Sequence, residues 1–257
     1  MSSALFGFTG FVGSNLMRYH TFDDLYNSSN AGQSAGRAYD LVVFAAAKAE
    51  KWRINQDPAT DLRHMNDLHT LIAGVTAKKF VLISTVDVYK EPVAVDEGTP
   101  IDTDGLHTYG LHRYQLEQFT RQQHPDALIV RLPGLFGPGL KKNVIFDLLH
   151  NNNIDRIHAD GSFQYYNLDH LYADLTDALT AGLTQVNLMS EPIRTDDLAA
   201  QAFGIRFDNR QEGAVPGTYD MRTRYATVFG GIGHYTRSRE QTLAELTQFV
   251  SAEKAHE

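Results

Sequence analysis

The sequence predicts a doubly wound parallel α/β sheet followed by a small, mixed C-terminal cap. Through the first half of the 257 residues, short and continuously apolar segments alternate with longer helical patterns. Strands buried on both faces of a parallel sheet have this composition, and repeated β-α-β order predicts such a sheet. A glycine-rich turn after the first apolar segment is a third indication. We assign residues 1–132 to the sheet domain and residues 133–257 to the cap, with some elements of the cap returning to the sheet.

The predicted strands are short runs of Val, Ile, Leu, Phe and Ala without polar alternation. They cover residues 4–8, 41–45, 80–83 and 128–130, and a further strand is expected to end within residues 26–30. The helices predicted between them cover residues 12–19, 62–76 and 109–122. A helix therefore follows the first, third and fourth strands, as is usual in a doubly wound fold.

Beyond Arg131 the pattern becomes irregular, because proline and glycine crowd residues 133–139 and predict a loop. Helices are expected at residues 144–150 and 171–183. We interpret this half of the chain as elements that lie over the open edge of the sheet. A cap in that position is where a substrate would bind, so we expect it to be a substrate-binding cap.

Two helix starts in the cap carry capping residues. Thr195 is predicted to cap a helix over residues 196–203, which Gly204 would close. Ser238 and Gln241 have the spacing of a capping box for a final helix. The apolar face of that helix consists of Leu243, Leu246, Phe249 and Val250.

Three glycines lie at the first strand-to-helix turn, in the segment GFTGFVG. Glycine permits a tight turn and lets the backbone approach a pyrophosphate, while the helix N-terminus offers free N–H groups and a positive dipole end. The position of the motif predicts a dinucleotide, NAD or NADP, and a purely structural turn is the alternative. The expected cofactor contacts are Gly7, Thr9, Gly10, Phe11, Val12 and Gly13.

The end of the second predicted strand bears on the choice between NAD and NADP. A dinucleotide site of this kind usually has an acidic residue there, which bonds the ribose hydroxyls. Residues 26–30 contain no carboxylate, and Asn27 is the polar candidate instead. The missing acid removes a repulsion against a 2′-phosphate and favours NADP. Arg18 and Arg37 are the candidate cations for that phosphate.

A hydroxyl, a phenol and a cation are predicted to meet at the same edge of the sheet. The fourth strand runs into Ser84 and Thr85, and the next helix begins at Tyr109. Because the carboxyl ends of neighbouring parallel strands open onto one crevice, the Thr85 hydroxyl and the Tyr109 phenol are expected to meet there. Arg113, four residues after Tyr109, shares its helix face.

Five segments, in the same order along the chain, resemble those of the extended short-chain dehydrogenase/reductases, also called the NAD-dependent epimerase/dehydratase family. They are GFTGFVG, STVDVY, YGLHR followed by Glu117, RLPGLFGPG and, more weakly, GSFQYYNLDHLYAD. The resemblance is good over residues 4–174 and loose beyond them. It implies a Rossmann fold and an NAD(P) cofactor, but the usual asparagine near the position of Gly134 in sugar-epimerising members is missing.

The resemblance implies a role for each residue of the constellation. Tyr109 matches the general acid/base of the family, and Thr85, with Ser84 as the alternative, matches the hydroxyl that binds the same substrate oxygen. Arg113 stands where the family has a lysine that binds the nicotinamide ribose and lowers the pKa of the tyrosine. Arginine keeps the positive charge but cannot release a proton at ordinary pH. Further implied cofactor contacts are Ala45, Ala46, Ala47, Leu132 and Pro133.

The function implied is that of an NAD(P)-dependent oxidoreductase or epimerase that acts on a carbinol or carbonyl of a polar, carbohydrate-like substrate, with nucleotide sugars as one class. The alternative is a dinucleotide-binding sensor or partner protein with little turnover, which Arg113 and the missing ribose acid favour. The resemblance also implies a homodimer that pairs through the helices predicted at residues 62–76 and 109–122.

Three further groups have both a functional and an ordinary interpretation. His112, three residues after Tyr109, is a candidate for proton transfer with the phenol or a packing histidine. Residues 48–53 hold three cations and the only tryptophan, which suit either a phosphate or solvent. Lys141 and Lys142 suit either an anionic ligand or the surface.

Composition excludes several function classes. A net charge of −8 would repel a phosphate backbone, so no nucleic-acid partner is expected. No apolar run approaches the ~20 residues that span a bilayer, and the first residues do not have the pattern of a signal peptide. The absence of cysteine excludes disulfides and fits a cytoplasmic protein. The histidines form no compact ligand pattern, so no metal is expected.

Overall fold

The computed structural model describes residues 1–256, which form two compact units. The first unit comprises Met1–Glu91, Glu97–Leu132 and Asp169–Asn187, and the second comprises Pro92–Asp96, Pro133–Leu168 and the chain from Leu188 onward. The chain therefore leaves the first unit at Pro133 and returns to it at Asp169 for one helix and one strand.

A parallel sheet of six strands forms the centre of the first unit. Its strands are β1 (Ser3–Phe6), β2 (Asp24–Tyr26), β3 (Ala38–Phe44), β4 (Thr76–Thr85), β5 (Leu128–Leu132) and β6 (Gln185–Asn187), in the spatial order β2-β1-β3-β4-β5-β6. Every neighbouring pair is parallel, so the predicted doubly wound sheet is confirmed. Ligands of such sheets bind outside the carboxyl ends of the strands where the order reverses, which here is between β1 and β3.

The helices of the first unit are α1 (Phe11–Leu16), α2 (Lys51–Gln56), α3 (Pro58–Ala73), α4 (Thr108–Gln123) and α5 (Leu171–Thr180). The helix predicted at residues 62–76 begins earlier, because Asp57 caps it by accepting the Thr60 N–H at 3.1 Å and Pro58 has the backbone angle of a first helical residue. The strand predicted at residues 4–8 ends at Phe6, because Gly7 has a φ of +84° and turns the chain.

Apolar side chains pack on both faces of this sheet. Phe6 and Phe44 are register neighbours on β1 and β3, and their ring centroids lie 5.0 Å apart. Both belong to one buried cluster with Met65, Leu68 and Ile72 of α3. Three α3 residues spaced three and four apart thus cover one sheet face, which fixes how α3 lies relative to the strand ends.

The second unit contains short paired strands, helices and short 3₁₀ turns. Val93–Val95 pairs with Asp220–Met221 and Gly134–Phe136 with Tyr165–Asn167, both in parallel, while Ser162–Phe163 pairs with Ile193–Arg194 in antiparallel fashion. Its helices are Val144–Leu149, Thr195–Leu198 with a π-helical continuation over Ala199–Phe203, and Arg239–His256. A separate apolar cluster forms its core.

One of the two predicted caps in this unit is confirmed and the other is wrong. Gln241 N–H donates to Ser238 Oγ at 3.2 Å, and Ser238 N–H donates to Gln241 Oε1 at 2.9 Å, which is the predicted capping box. Thr195 does not cap its helix. It is the first helical residue, and its hydroxyl donates to the carbonyl of Gly161 at 3.0 Å. Gly204 ends that segment with a φ of +68°, as predicted.

Candidate active site

The glycine turn after β1 is held by backbone contacts too close for any side chain. A Cβ on Gly7 would lie 2.4 Å from the carbonyl oxygen of Ala45, and one on Gly13 would lie 2.2 Å from the carbonyl oxygen of Gly7. Gly7 N–H donates to the Tyr26 carbonyl at 2.7 Å. These two glycines therefore let the ends of β1, β2 and β3 and the start of α1 converge.

The N-terminus of α1 is open toward an anion. Thr9 and Gly10 are exposed, while Phe11 and Val12 are half-buried. Gly10 is the N-cap, no side chain caps the helix there, and its first turn carries no acidic residue. The first N–H groups of a helix are otherwise satisfied by such caps, so this turn retains the donors that bind phosphate. Half-buried Ala45, Ala46 and Ala47 follow β3 beside it.

The end of β2 is neutral, as the sequence indicated. Asn27 Oδ1 accepts hydrogen bonds from the backbone N–H of Ser29 at 2.9 Å and from its hydroxyl at 2.6 Å. The nearest carboxylate of this strand, Asp24, lies at its amino end and pairs with Arg37 at 2.8 Å.

The two arginines proposed for a 2′-phosphate are wrong candidates. Arg37 precedes β3 and so lies at the amino edge of the parallel sheet, opposite the glycine turn. Arg18 follows α1 at the end remote from that turn and pairs with Asp169 at 2.5 Å. Their positions follow from chain direction, because a helix that starts at the carboxyl edge finishes at the amino edge.

Thr85 ends β4 and starts a 3₁₀ turn over Val86–Val88. Its hydroxyl oxygen accepts the Asp87 N–H at 3.2 Å and caps that turn. The same hydroxyl donates to Asp87 Oδ2 at 3.3 Å. Asp87 Oδ1 in turn accepts from Lys51 Nζ of α2 at 2.6 Å. Thr85 is half-buried. Its single hydroxyl proton points to Asp87 here, and rotation of the hydroxyl could direct it to another acceptor.

Side chains anchor the start of α4 and thereby place Tyr109. His107 Nδ1 accepts the Gly110 N–H at 3.0 Å, and Asn55 Oδ1 accepts the Tyr109 N–H at 2.9 Å. A Cβ on Gly110 would lie 2.2 Å from the Asp87 carbonyl oxygen, so glycine is needed for this close approach of α4 to the end of β4. This close approach places the first turn of α4, with Tyr109, beside the end of β4, where Thr85 stands.

The Tyr109 phenol is 6% exposed, and opposing influences set its acidity. Burial is the strongest and raises its pKa above the ordinary value of 10.0. The charge of Arg113 lowers that pKa and the charge of Asp87 raises it, while the nearby Thr85 hydroxyl lowers it. Burial prevails, so the side chain is a neutral phenol near pH 7.

Arg113 is 3% exposed and lies with its guanidinium carbon 4.8 Å from the centroid of the Tyr109 ring. Its terminal nitrogens donate to Asp61 at 3.2 and 3.3 Å, to the Lys48 carbonyl at 2.6 Å and to Met65 Sδ at 3.1 Å. Within residues 1–256, its Nε–H has no hydrogen-bond partner. Four of its five N–H donors therefore have partners in the protein, and the Nε–H has none.

His112 turns to α3 rather than to the phenol. Its Nδ1 lies 2.8 Å from Asp61 Oδ2, the carboxylate that also holds Arg113. The ring is buried, and this contact links α4 to α3. The geometry supports the packing interpretation of His112 and not the hypothesis of proton transfer with Tyr109.

Ser84 lies on the opposite face of β4 from Thr85, because successive side chains of a strand alternate. Its Oγ donates to Glu117 at 2.6 Å. Glu117 also receives two hydrogen bonds from Arg131, at 3.0 and 2.6 Å, and is fully buried. Glu117 therefore belongs to a structural network beneath the site.

The remaining sequence candidates lie at several places. Leu132 ends β5 as the buried register neighbour of Thr85, and Pro133 after it is half-buried. Trp52 is 75% exposed on α2, and Lys141 and Lys142 are exposed before the helix at Val144–Leu149. Within residues 1–256, no three His, Asp or Glu side chains gather as a metal site. No helix in that range is both long and apolar enough to cross a bilayer.

The sequence analysis missed three residues of the constellation, Asn55, Asp61 and Asp87, and it named Lys51 only as one of the cations of residues 48–53. Each acts through a partner distant in sequence, such as Asp61 with Arg113, 52 residues away. Only Asp87 had a local signal, since it stands two residues after Thr85 and can bond its hydroxyl.

Comparison with known proteins identifies the fold. No family model and no curated protein matches the chain. Solved structures do match over the whole chain. A UDP-galactose 4-epimerase shares 16% identity and a TM-score of 0.74 over 100% of this chain and 99% of its own. A dTDP-4-dehydrorhamnose reductase from Clostridium acetobutylicum shares 13%, with a TM-score of 0.75 over 99% and 100%.

A third match is the RMD protein from Pseudomonas aeruginosa, solved in complex with NADPH. It shares 18% identity and a TM-score of 0.73 over 98% of this chain and 100% of its own. The chain therefore has the Rossmann-type fold seen in nucleotide-sugar epimerases and reductases, which confirms the fold implied by the sequence resemblance. At this level of identity, the likeness establishes the fold, and the activity has to be argued from the site.

Proposed function

We propose that the chain is an NAD(P)-dependent oxidoreductase or epimerase that acts on a carbinol or carbonyl of a carbohydrate-like substrate, with nucleotide sugars as the first class to test. The buried Tyr109 phenol, with Arg113 over its ring and the end of β4 beside it, carries this proposal. Thr85 ends β4 and Tyr109 lies in the first turn of α4, at the carboxyl edge that also bears the glycine turn. The names of the similar structures support the substrate class.

The residues fit a dinucleotide. The open first turn of α1 offers N–H groups for the diphosphate, and the alanines after β3 leave room beside it. Asn27 would bond the adenosine ribose, and Arg113 Nε–H is the unsatisfied buried donor left for the nicotinamide end. Leu132 and Pro133 complete the proposed cofactor contacts. When bound, the nicotinamide supplies or accepts the hydride.

The chain's own residues handle the proton and the substrate oxygen. Tyr109 is a neutral phenol near pH 7, so it can donate its proton to a carbonyl oxygen as that oxygen gains negative charge. Thr85 donates a hydrogen bond to the same oxygen and orients it. Arg113 stabilises the phenolate that results, because its charge lowers the pKa of Tyr109.

For the cofactor we retain the preference for NADP. No carboxylate ends β2 to repel a 2′-phosphate, and neither Arg18 nor Arg37 is there to attract one. We expect NADPH to bind at least as tightly as NADH, and isothermal titration with both nucleotides tests this. A clear preference for NADH would overturn it.

The binding site is tested with a charge placed at the phosphate position. Gly10→Asp puts a carboxylate at the open start of α1 and should weaken NADPH binding at least tenfold. Met17→Asp adds the same charge at the far end of α1 and should leave binding unchanged. Trp52 is the only tryptophan, so energy transfer to bound NADPH provides a single-site signal. Equal binding by both variants would contradict the assignment.

Turnover is tested with Tyr109→Phe on a panel of nucleotide sugars and simple carbonyl compounds. We expect nucleotide binding to persist and kcat to fall about 10²- to 10⁴-fold, the contribution of a general acid. Binding without turnover in the unmodified protein would instead support a dinucleotide-binding sensor. Absence of binding to either nucleotide would remove both interpretations.

We further propose a cytoplasmic homodimer that pairs through α3 and α4. Leu62 on α3 is 48% exposed and supports such an interface. Sedimentation of Leu62→Asp against the unmodified protein tests it. A monomer in both cases would contradict the proposal.

A further inference from the structure

Arg113 leaves a single donor without a partner, because its other donors are all held by the protein. A guanidinium has five N–H groups, two on each terminal nitrogen and one on Nε. Both terminal nitrogens of Arg113 bind Asp61, at 3.2 and 3.3 Å. Their other contacts are the Lys48 carbonyl at 2.6 Å and Met65 Sδ at 3.1 Å. Within residues 1–256, the Nε–H has no partner.

Asp61 meets the guanidinium end-on. Its Oδ2 accepts from one terminal nitrogen of Arg113 and its Oδ1 from the other, so the carboxylate faces the edge remote from Nε. Arg131 has the other arrangement, in which Glu117 accepts from Nε and from one terminal nitrogen, at 3.0 and 2.6 Å. The edge that the carboxylate takes therefore decides whether the Nε–H is left without a partner.

Asp61 is itself held in place. His112 Nδ1 lies 2.8 Å from Asp61 Oδ2, and since a carboxylate only accepts, the imidazole donates from that nitrogen. Asp61 lies in the first turn of α3, four residues before Met65, so both contact Arg113 from one face of that helix. The side chains of Asp61 and Arg113 are 2% and 3% exposed, so water has little access to the pair.

We propose that Asp61 is a positioning residue, which binds both terminal nitrogens of Arg113 and so fixes the guanidinium in the orientation that keeps the Nε–H available to the nucleotide. His112 supports this role by holding the Asp61 carboxylate. The inference rests on the proposed function, which assigns that Nε–H to the nicotinamide end of the cofactor. Asp61 thus acts through Arg113 and not on the nucleotide itself.

The physical reason is the strength of the contacts that would remain without Asp61. The Lys48 carbonyl and Met65 Sδ are neutral acceptors, whereas a hydrogen bond between two ionised groups is among the stronger ones. With the carboxylate removed, the guanidinium can turn and the Nε–H loses its fixed direction. A donor that has to be ordered during binding contributes less to affinity.

The first measurement follows Arg113 in the full chain without nucleotide, so it does not depend on the proposed function. The protein carries ¹⁵N in its arginines, and Arg113→Lys and Arg131→Lys assign the two Nε–H signals. NMR relaxation gives an order parameter, which is about 0.85 for a rigid group and below about 0.6 for a mobile one. We expect both Nε–H groups to be rigid in the unmodified protein.

Three variants are compared in this measurement. Asp61→Asn removes the charge and one acceptor, so the order parameter of Arg113 should fall below about 0.6 while Arg131 stays rigid. His112→Phe keeps a ring but removes the bond to Asp61, and the order parameter of Arg113 should fall by a smaller amount. Asp40→Asn is the matched control. It neutralises a carboxylate in an ion pair at the amino end of β3 and should change neither arginine.

The second measurement is the affinity for NADPH, by titration calorimetry on the same folded proteins. We expect Asp61→Asn to bind NADPH at least fivefold more weakly than the unmodified protein. Asp40→Asn should bind it with unchanged affinity. The comparison separates the loss of a carboxylate beside Arg113 from the loss of a carboxylate elsewhere in the same unit.

The pKa of Tyr109 distinguishes a displaced arginine from a missing charge. Arg113 lies over the Tyr109 ring, and its charge lowers the pKa of that phenol. In Asp61→Asn, loss of a negative charge alone would lower the pKa of Tyr109, whereas displacement of Arg113 raises it. We expect a rise, measured by NMR titration of protein labelled with ¹³C at the tyrosine ζ-carbons.

Three results would overturn the proposal: an Asp61→Asn protein in which the Arg113 Nε–H is as rigid as in Asp40→Asn, one that binds NADPH as tightly as that control, or one with a lowered pKa of Tyr109. If the unmodified protein binds neither NADPH nor NADH, the proposed function fails. If it binds NADPH and Asp61→Asn binds equally well, the positioning role alone fails. Where Asp61→Asn does not fold, His112→Phe decides, since it loosens the same carboxylate.

Discussion

The first unit contains two buried arginines, Arg113 and Arg131, that have similar surroundings but differ in whether every guanidinium nitrogen has a hydrogen-bond partner. Arg113 and Arg131 each hold a carboxylate and each lie over a tyrosine ring, at 4.8 Å from Tyr109 and 5.0 Å from Tyr89. Both arginines are about 97% buried, as their exposures of 3% and 2% show. The comparison sets an ion pair that joins structural elements beside one that the proposed function assigns to the site.

The Arg131 cluster is closed. Its Nε and one terminal nitrogen bind Glu117 at 3.0 and 2.6 Å, and the other terminal nitrogen donates to the Tyr89 hydroxyl at 2.8 Å. Asn187 donates to that hydroxyl at 3.0 Å, and Ser84 Oγ donates to the Glu117 carboxylate at 2.6 Å. Each of the three Arg131 nitrogens thus has a partner, and the cluster joins β4, β5, β6 and α4.

The Arg113 cluster is open. Its bonds to Asp61 are longer, at 3.2 and 3.3 Å, and His112 shares that carboxylate. Its Nε–H has no partner within residues 1–256. A buried donor without a partner costs free energy, and the proposed function assigns this Nε–H to the bound nucleotide. The two arginines are alike in burial and charge, and they differ in that each Arg131 nitrogen has a partner while Arg113 Nε has none.

The strongest test of the closed cluster is Glu117→Leu. Removing one partner of a buried pair leaves the Arg131 charge uncompensated, and the free energy of unfolding should fall by about 3–5 kcal/mol. Urea denaturation measures this. A loss below about 1 kcal/mol would show that the cluster is not the structural pair described.

Asp61→Asn tests the open cluster and should cost less. Asparagine keeps one oxygen acceptor for Arg113, so we expect a loss of about 1–3 kcal/mol in the free energy of unfolding, the range of a hydrogen bond to a charged group. The same urea measurement applies. A cost equal to that of Glu117→Leu would erase the distinction between the clusters.

Substitution of each arginine by lysine separates stability from binding. Arg113→Lys and Arg131→Lys both lose a planar fork of donors, and each should lower the free energy of unfolding by about 1–2 kcal/mol. Only Arg113→Lys should alter NADPH affinity, measured by titration calorimetry on the folded protein. An equal change in affinity for both would contradict the assignment of Arg113 to the site.

The smallest effect concerns the acidity of the two tyrosines. Burial raises the pKa of both Tyr109 and Tyr89 above 10.0, and the nearby arginine lowers each. Asp87 disfavours the phenolate of Tyr109, so Asp87→Asn should lower the pKa of Tyr109 and leave that of Tyr89 unchanged. NMR titration to alkaline pH of protein labelled with ¹³C at the tyrosine ζ-carbons measures both pKa values. A rise for Tyr109 would contradict the stated sign.

The sequence alone determined the elements whose cause is local. The apolar runs predicted the parallel sheet, and the glycine spacing predicted the turn at Gly7 and Gly13. The Ser238 and Gln241 box was also predicted, because its two bonds join residues three apart. The prediction that Thr195 caps a helix was wrong, because its hydroxyl donates to the carbonyl of Gly161, which lies 34 residues earlier in the chain.

Only the tertiary structure decided which side chains serve the site. Lys51 reaches Asp87 across 36 residues and Asp61 reaches Arg113 across 52, and no local pattern encodes either contact. The physical reason is that periodicity and capping act within one or two helical turns, whereas these contacts depend on how α2, α3 and α4 dock. Chain direction likewise placed Arg18 and Arg37 at the edge opposite the glycine turn.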